Sequence, residues 1–282
     1  MNSEIKVKLL VCAHKAGTLL NDGHYMPVQV GKALSVADLN IQGDDTGENI
    51  SRKNPYYCEL TALYWAWKNL EKTDYIGLCH YRRYFDFTPC HYREKYTIPT
   101  AQLGESQRLP ALKKLFRRYD IVLPVSMVFK ESLWEHYDNY HIGEDLEALR
   151  KVIGDLTPAY LKAFDAVMSR NNKLSGYNMF LTKWETFNGY CEWLFPVLFE
   201  LEKRIKIPDD PYQARIFGFM GERLLNVYCR HHRLKVKYYP IVMVDDEGGK
   251  RKCICRYWRI RIKNHCVYRV KRGAESLGIH KK

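Results

Sequence analysis

Residues 75–85 read Tyr75-Ile76-Gly77-Leu78-Cys79-His80-Tyr81-Arg82-Arg83-Tyr84-Phe85. The apolar run from Tyr75 to Cys79 is too short for a helix and does not alternate with polar residues. It predicts a strand buried on both faces, as in parallel sheets covered by helices. Immediately beyond it stand a histidine, two arginines and two tyrosines. Folding alone gives little reason to crowd such side chains at a strand end, so this stretch fixes both the kind of sheet and the place to look for chemistry.

The flanking sequence repeats the pattern. Lys6 to His14 (KVKLLVCAH) is a second buried strand followed by a loop, residues 28–39 fit neither period, and Gln42 to Ser51 is a polar loop. Asn54-Pro55 supplies an N-cap and a first-turn proline. Leu60, Leu63, Tyr64, Trp67 and Leu70 then follow at helical spacing, predicting one helix over 55–70. Residues 86–118 read as irregular and basic with a short helix. Strands are expected at Tyr119–Val125, Asn178–Thr182 and Lys235–Val244. Helices are expected at Glu144–Ser169 with a break at Pro158, at Lys183–Lys203 and at Phe217–His231. Alternating strands and helices imply a three-layer α/β/α fold with a mostly parallel sheet, occupying residues 1–248 as one domain.

Composition narrows the class. Hydrophobic residues at 46% and charged residues at 27% allow a sizeable core and exclude a disordered chain. No run of 18 or more uncharged apolar residues and no secretory signal in the first 25 residues are present. Nine cysteines without regular spacing point to a reducing compartment rather than a disulfide framework. The net charge of +13 is uneven: residues 249–282 hold twelve Lys or Arg and one acid, leaving +2 for residues 1–248. This tail, read as a helix, puts Ile254, Trp258, Ile262, Cys266 and Val270 on one stripe. Arg256, Arg259 and Lys263 lie off it. Arg256, Trp258, Arg259, Ile262 and Lys263 would then contact an anionic membrane surface; the alternative is a solvated helix packed on the body. No nucleic-acid signature accompanies the charge, so no nucleic-acid partner is expected.

In open α/β sheets, ligands bind outside the carboxyl ends of the strands. The loop after the first strand (His14, Lys15), the His80–Phe85 segment and the loop before Asn178 all fall there. Two guanidiniums match phosphate oxygens and the tyrosines offer faces to a base or sugar. The structural alternative is that Arg82 and Arg83 pair with Asp44, Asp45 or Glu59. No dinucleotide, P-loop, nucleophile-elbow or zincin motif is present. Cys229, His231, His232, Cys253 and Cys255 fit no standard zinc spacing. Asp209-Asp210 and Asp245-Asp246-Glu247 read as turn acids. Glu222, beside Arg223 in a helix, is either a base or half of an ion pair.

Taken together, Asp44-Asp45-Thr46-Gly47-Glu48-Asn49-Ile50-Ser51, the run from Asn54-Pro55-Tyr56-Tyr57-Cys58-Glu59 through Trp67-Lys68-Asn69, and His80-Tyr81-Arg82-Arg83-Tyr84-Phe85 resemble the bacterial capsular and exopolysaccharide family catalogued as domain-of-unknown-function family 4422. Tyr177-Asn178-Met179-Phe180 and Arg215 through Glu222-Arg223-Leu224-Leu225 continue the resemblance, which spans about residues 6–245 and leaves out the tail. It implies a GT-A-like nucleotide-sugar-binding fold and transfer of a hexose, most often galactose, from a UDP-sugar. The implied acceptor is a lipid-linked oligosaccharide at the inner face of the cell membrane, which the cytoplasmic body would reach peripherally. Donor contacts are then expected from His14, Lys15, Asp44, Asn54, His80, Tyr81, Arg82, Arg83 and Asn178, with Glu59, Arg215 and Arg223 behind them. Glu222, His80 and Asp45 are the candidate bases. The wider fold places an Asp-x-Asp metal motif where this chain has His80-Tyr81-Arg82-Arg83, so no metal cofactor is expected and the arginines would take the leaving-group charge. Two rivals make different predictions. A non-catalytic sugar-binding module would bind donor without hydrolysing it, and a nucleic-acid-binding protein would show salt-dependent affinity for nucleic acid.

Overall fold

The computed structural model describes residues 5–88, 95–104, 106–246 and 254–276. Its strands are β1 (Val7–Ala13), β2 (Tyr25–Gln29), β3 (Gln42–Gly43), β4 (Tyr75–His80), β5 (Arg83–Phe85), β6 (Lys95–Ile98), β7 (Ile121–Pro124), β8 (Met127–Val128), β9 (Lys173–Leu174), β10 (Phe180–Lys183), β11 (Val236–Tyr239) and β12 (Ile241–Val244). The helices are α1 (Asn54–Tyr57), α2 (Leu60–Asn69), α3 (Leu112–Leu115), α4 (Leu133–Tyr140), α5 (Gly143–Leu156), α6 (Leu161–Met168), α7 (Trp184–Glu202), α8 (Ile216–His231) and α9 (Ile254–Ser276).

The main sheet has the order β11-β7-β10-β4-β1-β2-β3. All its strands run parallel except β10, which is antiparallel to both neighbours. The carboxyl ends of β1 to β4 and the start of β10 therefore share one edge. Alternation along the strands splits the core. Leu10, Cys12, Ile76 and Leu78 face a layer built from α1, α2 and α4–α8, while Leu9, Val11, Tyr75 and Cys79 face the opposite side. There a thinner layer is made by α3 and the small strand set in which β12 joins β5 and β6. Full burial of each large aliphatic side chain contributes about 1.5–3 kcal/mol, which is why the five-residue apolar runs become the sheet centre. Gly77 is required by strand spacing: a Cβ there would meet the Phe180 carbonyl oxygen at 2.5 Å.

The mostly parallel sheet and its helical cover match the expectation from sequence, and local elements differ. The helix expected over 55–70 is broken at Cys58, whose backbone takes φ 51°. Asn54 is not an N-cap but the first helical residue. Its amide reaches forward to the Cys58 carbonyl (2.8 Å) and the Thr61 hydroxyl (3.1 Å), and so fastens the break. The single last strand is two, because Pro240 between β11 and β12 has no N–H for a ladder. β6 lies within the stretch expected to be irregular, and α4 is an additional helix, started by a Ser132–Glu135 capping box.

The tail does form a helix, and it lies on the body. From α9, Arg261 donates to the Ser126 carbonyl and Asn264 to the Val128 carbonyl (2.8 Å), while Tyr268 is buried. These residues, three and four apart, define one helix face. The opposite face carries the apolar stripe, with Ile262 60% and Val270 72% exposed, and Cys266, Arg259 and Lys263 also open to solvent. The side chains of Arg256 and Trp258 lie outside the described residues, as does Cys253 of the zinc alternative. Among the described residues no helix is long and apolar enough to cross a membrane.

Candidate active site

β4 ends at His80 and turns back at once. Tyr81 and Arg82 form the tip of a tight hairpin, and Arg83 opens β5 opposite His80. The turn thrusts Tyr81, Arg82 and Arg83 past the sheet edge. His14, on the loop after β1, meets Tyr81 edge to face at 5.1 Å, and Lys15 next to it is exposed. The Arg82 guanidinium lies 5.5 Å from the Tyr81 ring, and that of Arg83 5.0 Å from the Tyr177 ring. Neither arginine forms an ion pair among the described residues, so pairing with Asp44, Asp45 or Glu59 is not what this fold does. Arg83 Nε is buried without a partner.

Opposite the hairpin stands the loop before β10. Tyr177 and Asn178 both adopt left-handed backbone, φ 67° and 51°, a conformation costing about 1–3 kcal/mol per non-glycine residue. Their hydrogen bonds show what holds them. The Tyr177 N–H donates to Glu222 Oε1 (2.6 Å), and its carbonyl accepts from His80 Nε2 (2.7 Å). Because a carbonyl only accepts, Nε2 carries the proton and Nδ1 is left as the acceptor in the neutral ring. Asn178 donates from its amide to Glu59 Oε1 (2.7 Å) and the Gly218 carbonyl (3.1 Å). Arg215, at the start of α8, donates from Nε to Cys58 Sγ (3.2 Å). Strained residues thus sit on both walls, each locked by several partners. Asn178→Ala is expected to destabilise by about 1–3 kcal/mol in denaturant unfolding, since it takes from the Glu59 carboxylate the donor that Asn178 supplies. Asn178→Gly, which relieves the backbone, separates the amide's part from that of the conformation.

The electrostatics divide the cluster into two sides. Burial pushes the Glu222 carboxyl above its ordinary range, with Arg223 opposing and Glu59 adding to the rise. Burial pushes the His80 imidazole down, against the pull of Glu59. His14 is lowered by burial and then by Lys15 and Arg215. Glu59, just before α2, and Glu222 of α8 thus form an acidic side of the cluster, next to the cationic and aromatic side chains of the β1 and β4 loops.

Not every candidate stands in this cluster. Asp44 is fully buried, and both its oxygens are used by the Gly31 and Lys32 N–H groups and the Ser51 hydroxyl, so it braces the loop after β2. Asp45 is exposed, with its carbonyl accepting from Asn49. Asn54 braces α1 as described. Arg223 is buried under Glu222, 3.9 Å from it and 4.8 Å from the Tyr137 ring. The turn acids behave as such: Asp210 caps the Tyr212 and Gln213 N–H groups and Asp246 binds Thr100. His231 stacks on Tyr160, whose hydroxyl meets His232. Among the described residues no group of three His, Cys, Asp or Glu is placed to hold a metal ion. Tyr177 and Cys58 are the site residues that sequence reasoning passes over. Their roles come from backbone conformation, and Gly176 before Tyr177 is the single sequence hint of a turn.

A family model described as a domain of unknown function (DUF4422) matches residues 8–233. The chain belongs to the DUF4422 family. The matched stretch contains every residue of the cluster and stops short of α9. Among solved structures, this DUF4422 chain is similar to the apo structure of WbbM, a bifunctional glycosyltransferase, with 32% identity and a TM-score of 0.79. The likeness covers 85% of this chain and 45% of that one, so the chain spans less than half of WbbM's length. The fold is that of a glycosyltransferase. A curated protein, the mRNA 3′-end-processing protein rna-14 of Neurospora crassa, is 25% identical over 160 residues, which are 53% of this chain and 13% of that protein.

Proposed function

We propose that this DUF4422 protein is a glycosyltransferase moving a hexose, galactose in its pyranose or furanose form, from a UDP-sugar to a lipid-linked oligosaccharide in capsule, O-antigen or exopolysaccharide synthesis. The observation carrying this reading is the two-sided cluster: Glu59 and Glu222 on one side, His14, Lys15, Tyr81, Arg82 and Arg83 on the other, set by two left-handed residues at the carboxyl edge of the sheet. Similarity to a bifunctional glycosyltransferase supports it. In the reaction an acceptor hydroxyl oxygen attacks the anomeric carbon, the bond to the UDP oxygen breaks, and the hydroxyl proton passes to Glu222. Arg82 and Arg83 receive the charge that develops on the diphosphate, with no divalent ion required. UDP-galactose at 100 times its dissociation constant is expected to stabilise the protein by about 2.7 kcal/mol in a thermal-shift titration, equally with Mn²⁺ or a chelator. Absence of any shift across a panel of nucleotide sugars would remove the donor reading.

The outer face of α9 completes the picture. Docked by Arg261, Asn264 and Tyr268, the helix turns Ile262, Cys266 and Val270 outward among basic residues, which would draw that face to an anionic bilayer mainly through charge. We assign it to the inner face of the cell membrane, where a lipid-linked acceptor resides. Ile262→Glu with Val270→Glu is expected to abolish salt-sensitive sedimentation with anionic vesicles and to leave UDP-galactose binding unchanged; sedimentation that persists would refute the assignment.

A further inference from the structure

We infer that the groove between α6, α8 and β11 is the seat for the phosphate-bearing end of a lipid-linked acceptor, a diphosphate on a long aliphatic chain. The groove encloses about 1190 Å³ and lies outside the cluster described above. Lys162, Arg170, Lys173, Arg230 and Arg233 line it, all are exposed, and among the described residues no acidic side chain lines it. None of the five forms an ion pair among the described residues. Asp165, which feels Arg170, is already gripped through both oxygens by Arg150. Five unneutralised cations around one concavity call for an anion of more than one charge. The floor between them is largely aliphatic, formed by Ala163, Ala166, Val167, Leu234 and Val236, with Tyr238 the one exposed aromatic side chain among the described lining residues. Such a floor suits a hydrocarbon chain, whereas a single-stranded nucleic acid asks for a succession of aromatic platforms, of which Tyr238 supplies one. His231 also lines the groove, but its ring is spent on Tyr160.

Position makes the occupant specific. Asn226 lines the groove and donates to the Glu222 and Ser175 carbonyls, so one end of the groove backs onto the Ser175–Tyr177 loop of the site. With about 1.5 Å rise per residue, Asn226 lies about 6 Å along α8 from Glu222 and Arg230 about 12 Å. At the other side, Ser126 lines the groove and accepts from Arg261 of α9, while Lys173 acts on His265 of the same helix. Carboxylate cluster, cationic groove and exposed apolar helix face thus follow one another across the surface. That is the order of sugar, diphosphate and chain in a lipid-linked glycan. The inference rests on the acceptor reading of the proposed function.

The test uses the full chain and phosphatidylcholine vesicles carrying a small fraction of a polyprenyl diphosphate, against vesicles matched in charge with phosphatidylglycerol. The wild type is expected to bind the diphosphate vesicles at least about tenfold more tightly, and Arg170→Glu with Arg230→Glu to erase that preference. Lys162→Glu with Lys173→Glu is expected to do the same, which guards against a folding defect in either pair. UDP-galactose affinity, read in parallel, should be unchanged in both. A preference that survives both pairs, or none in the wild type, overturns the proposal. So does displacement from the vesicles by an oligonucleotide at lower concentration than by inorganic diphosphate. Failure of the wild type to bind any nucleotide sugar would strike the transferase reading while the vesicle preference stood.

Discussion

Glu222→Gln is expected to lower sugar transfer by about 10²–10⁴-fold while UDP-sugar affinity stays within about twofold. The substitution is nearly isosteric, and glutamine keeps a carbonyl oxygen to accept the Tyr177 N–H that now reaches Glu222 Oε1 at 2.6 Å. The strained loop therefore retains its tie, and what is lost is the ability to take a proton. Burial has already raised this carboxyl above its ordinary 4.5, with Arg223 the counterweight, which moves it toward the pH at which a base is most useful. The sign of the pH effect follows. A base works only when deprotonated, so wild-type kcat/KM should rise with pH through the raised value of Glu222 and level off above it. The variant should lose that acidic limb. Transfer at the wild-type rate, or an acidic limb that persists in the variant, would move the base to another group; Glu59, held by Asn178 and coupled to Glu222, is then the one to test.

How far the site could be read from sequence depends on the physics involved. A five-residue apolar run ending in His80-Tyr81-Arg82-Arg83 is legible because burial on both faces demands it and because folding does not explain the charges. The carboxyl-edge rule then gathers His14, Lys15 and the loop before Asn178 from sequence alone, while Glu222 is picked out only as a helical acid beside Arg223. What is not legible is backbone conformation at ordinary residues. Nothing in Cys58 or Tyr177 announces positive φ, and Asn178 only tolerates it; Tyr177 and Asn178 are held there by long-range partners such as Gly218, Glu59 and His80, and Cys58 by Asn54 and Thr61. Asp44 shows the reverse error: its polarity suggests a ligand contact, but three local donors consume it inside the body. Ser132-Leu133-Trp134-Glu135 is a capping box that announces α4 in sequence alone. The tail's stripe is equally readable, but the face that docks carries Arg261 and Asn264, whose hydrogen bonds to backbone carbonyls leave no trace in a hydrophobic period.

Arg82→Ala and Arg83→Ala are each expected to reduce transfer by about 10²–10³-fold, the usual cost of removing one group aimed at developing charge. The two act on one diphosphate, so the double variant should lose less than the product of the single losses. Arg83 has the stronger claim on structural grounds. Its Nε is buried without a partner, and an unpaired buried donor is costly unless something completes it. A diphosphate oxygen would do so once a small side-chain shift uncovers that nitrogen, with the Tyr177 ring 5.0 Å from the guanidinium to orient it. Arg82, exposed at the hairpin tip, acts only weakly on Asp246 and lies 5.5 Å from the Tyr81 ring. Lysine at either position keeps the charge but not the fork, so Arg83→Lys should recover only part of the rate. Stability should hardly move, since neither arginine has an ion pair to lose among the described residues. The decisive comparison is made in a chelator. If wild-type transfer continues without divalent metal and the arginine variants fail, fixed guanidiniums supply the leaving-group charge. If transfer stops on chelation and the variants match wild type once Mn²⁺ is restored, the metal carries that charge instead and the role given to the hairpin is wrong.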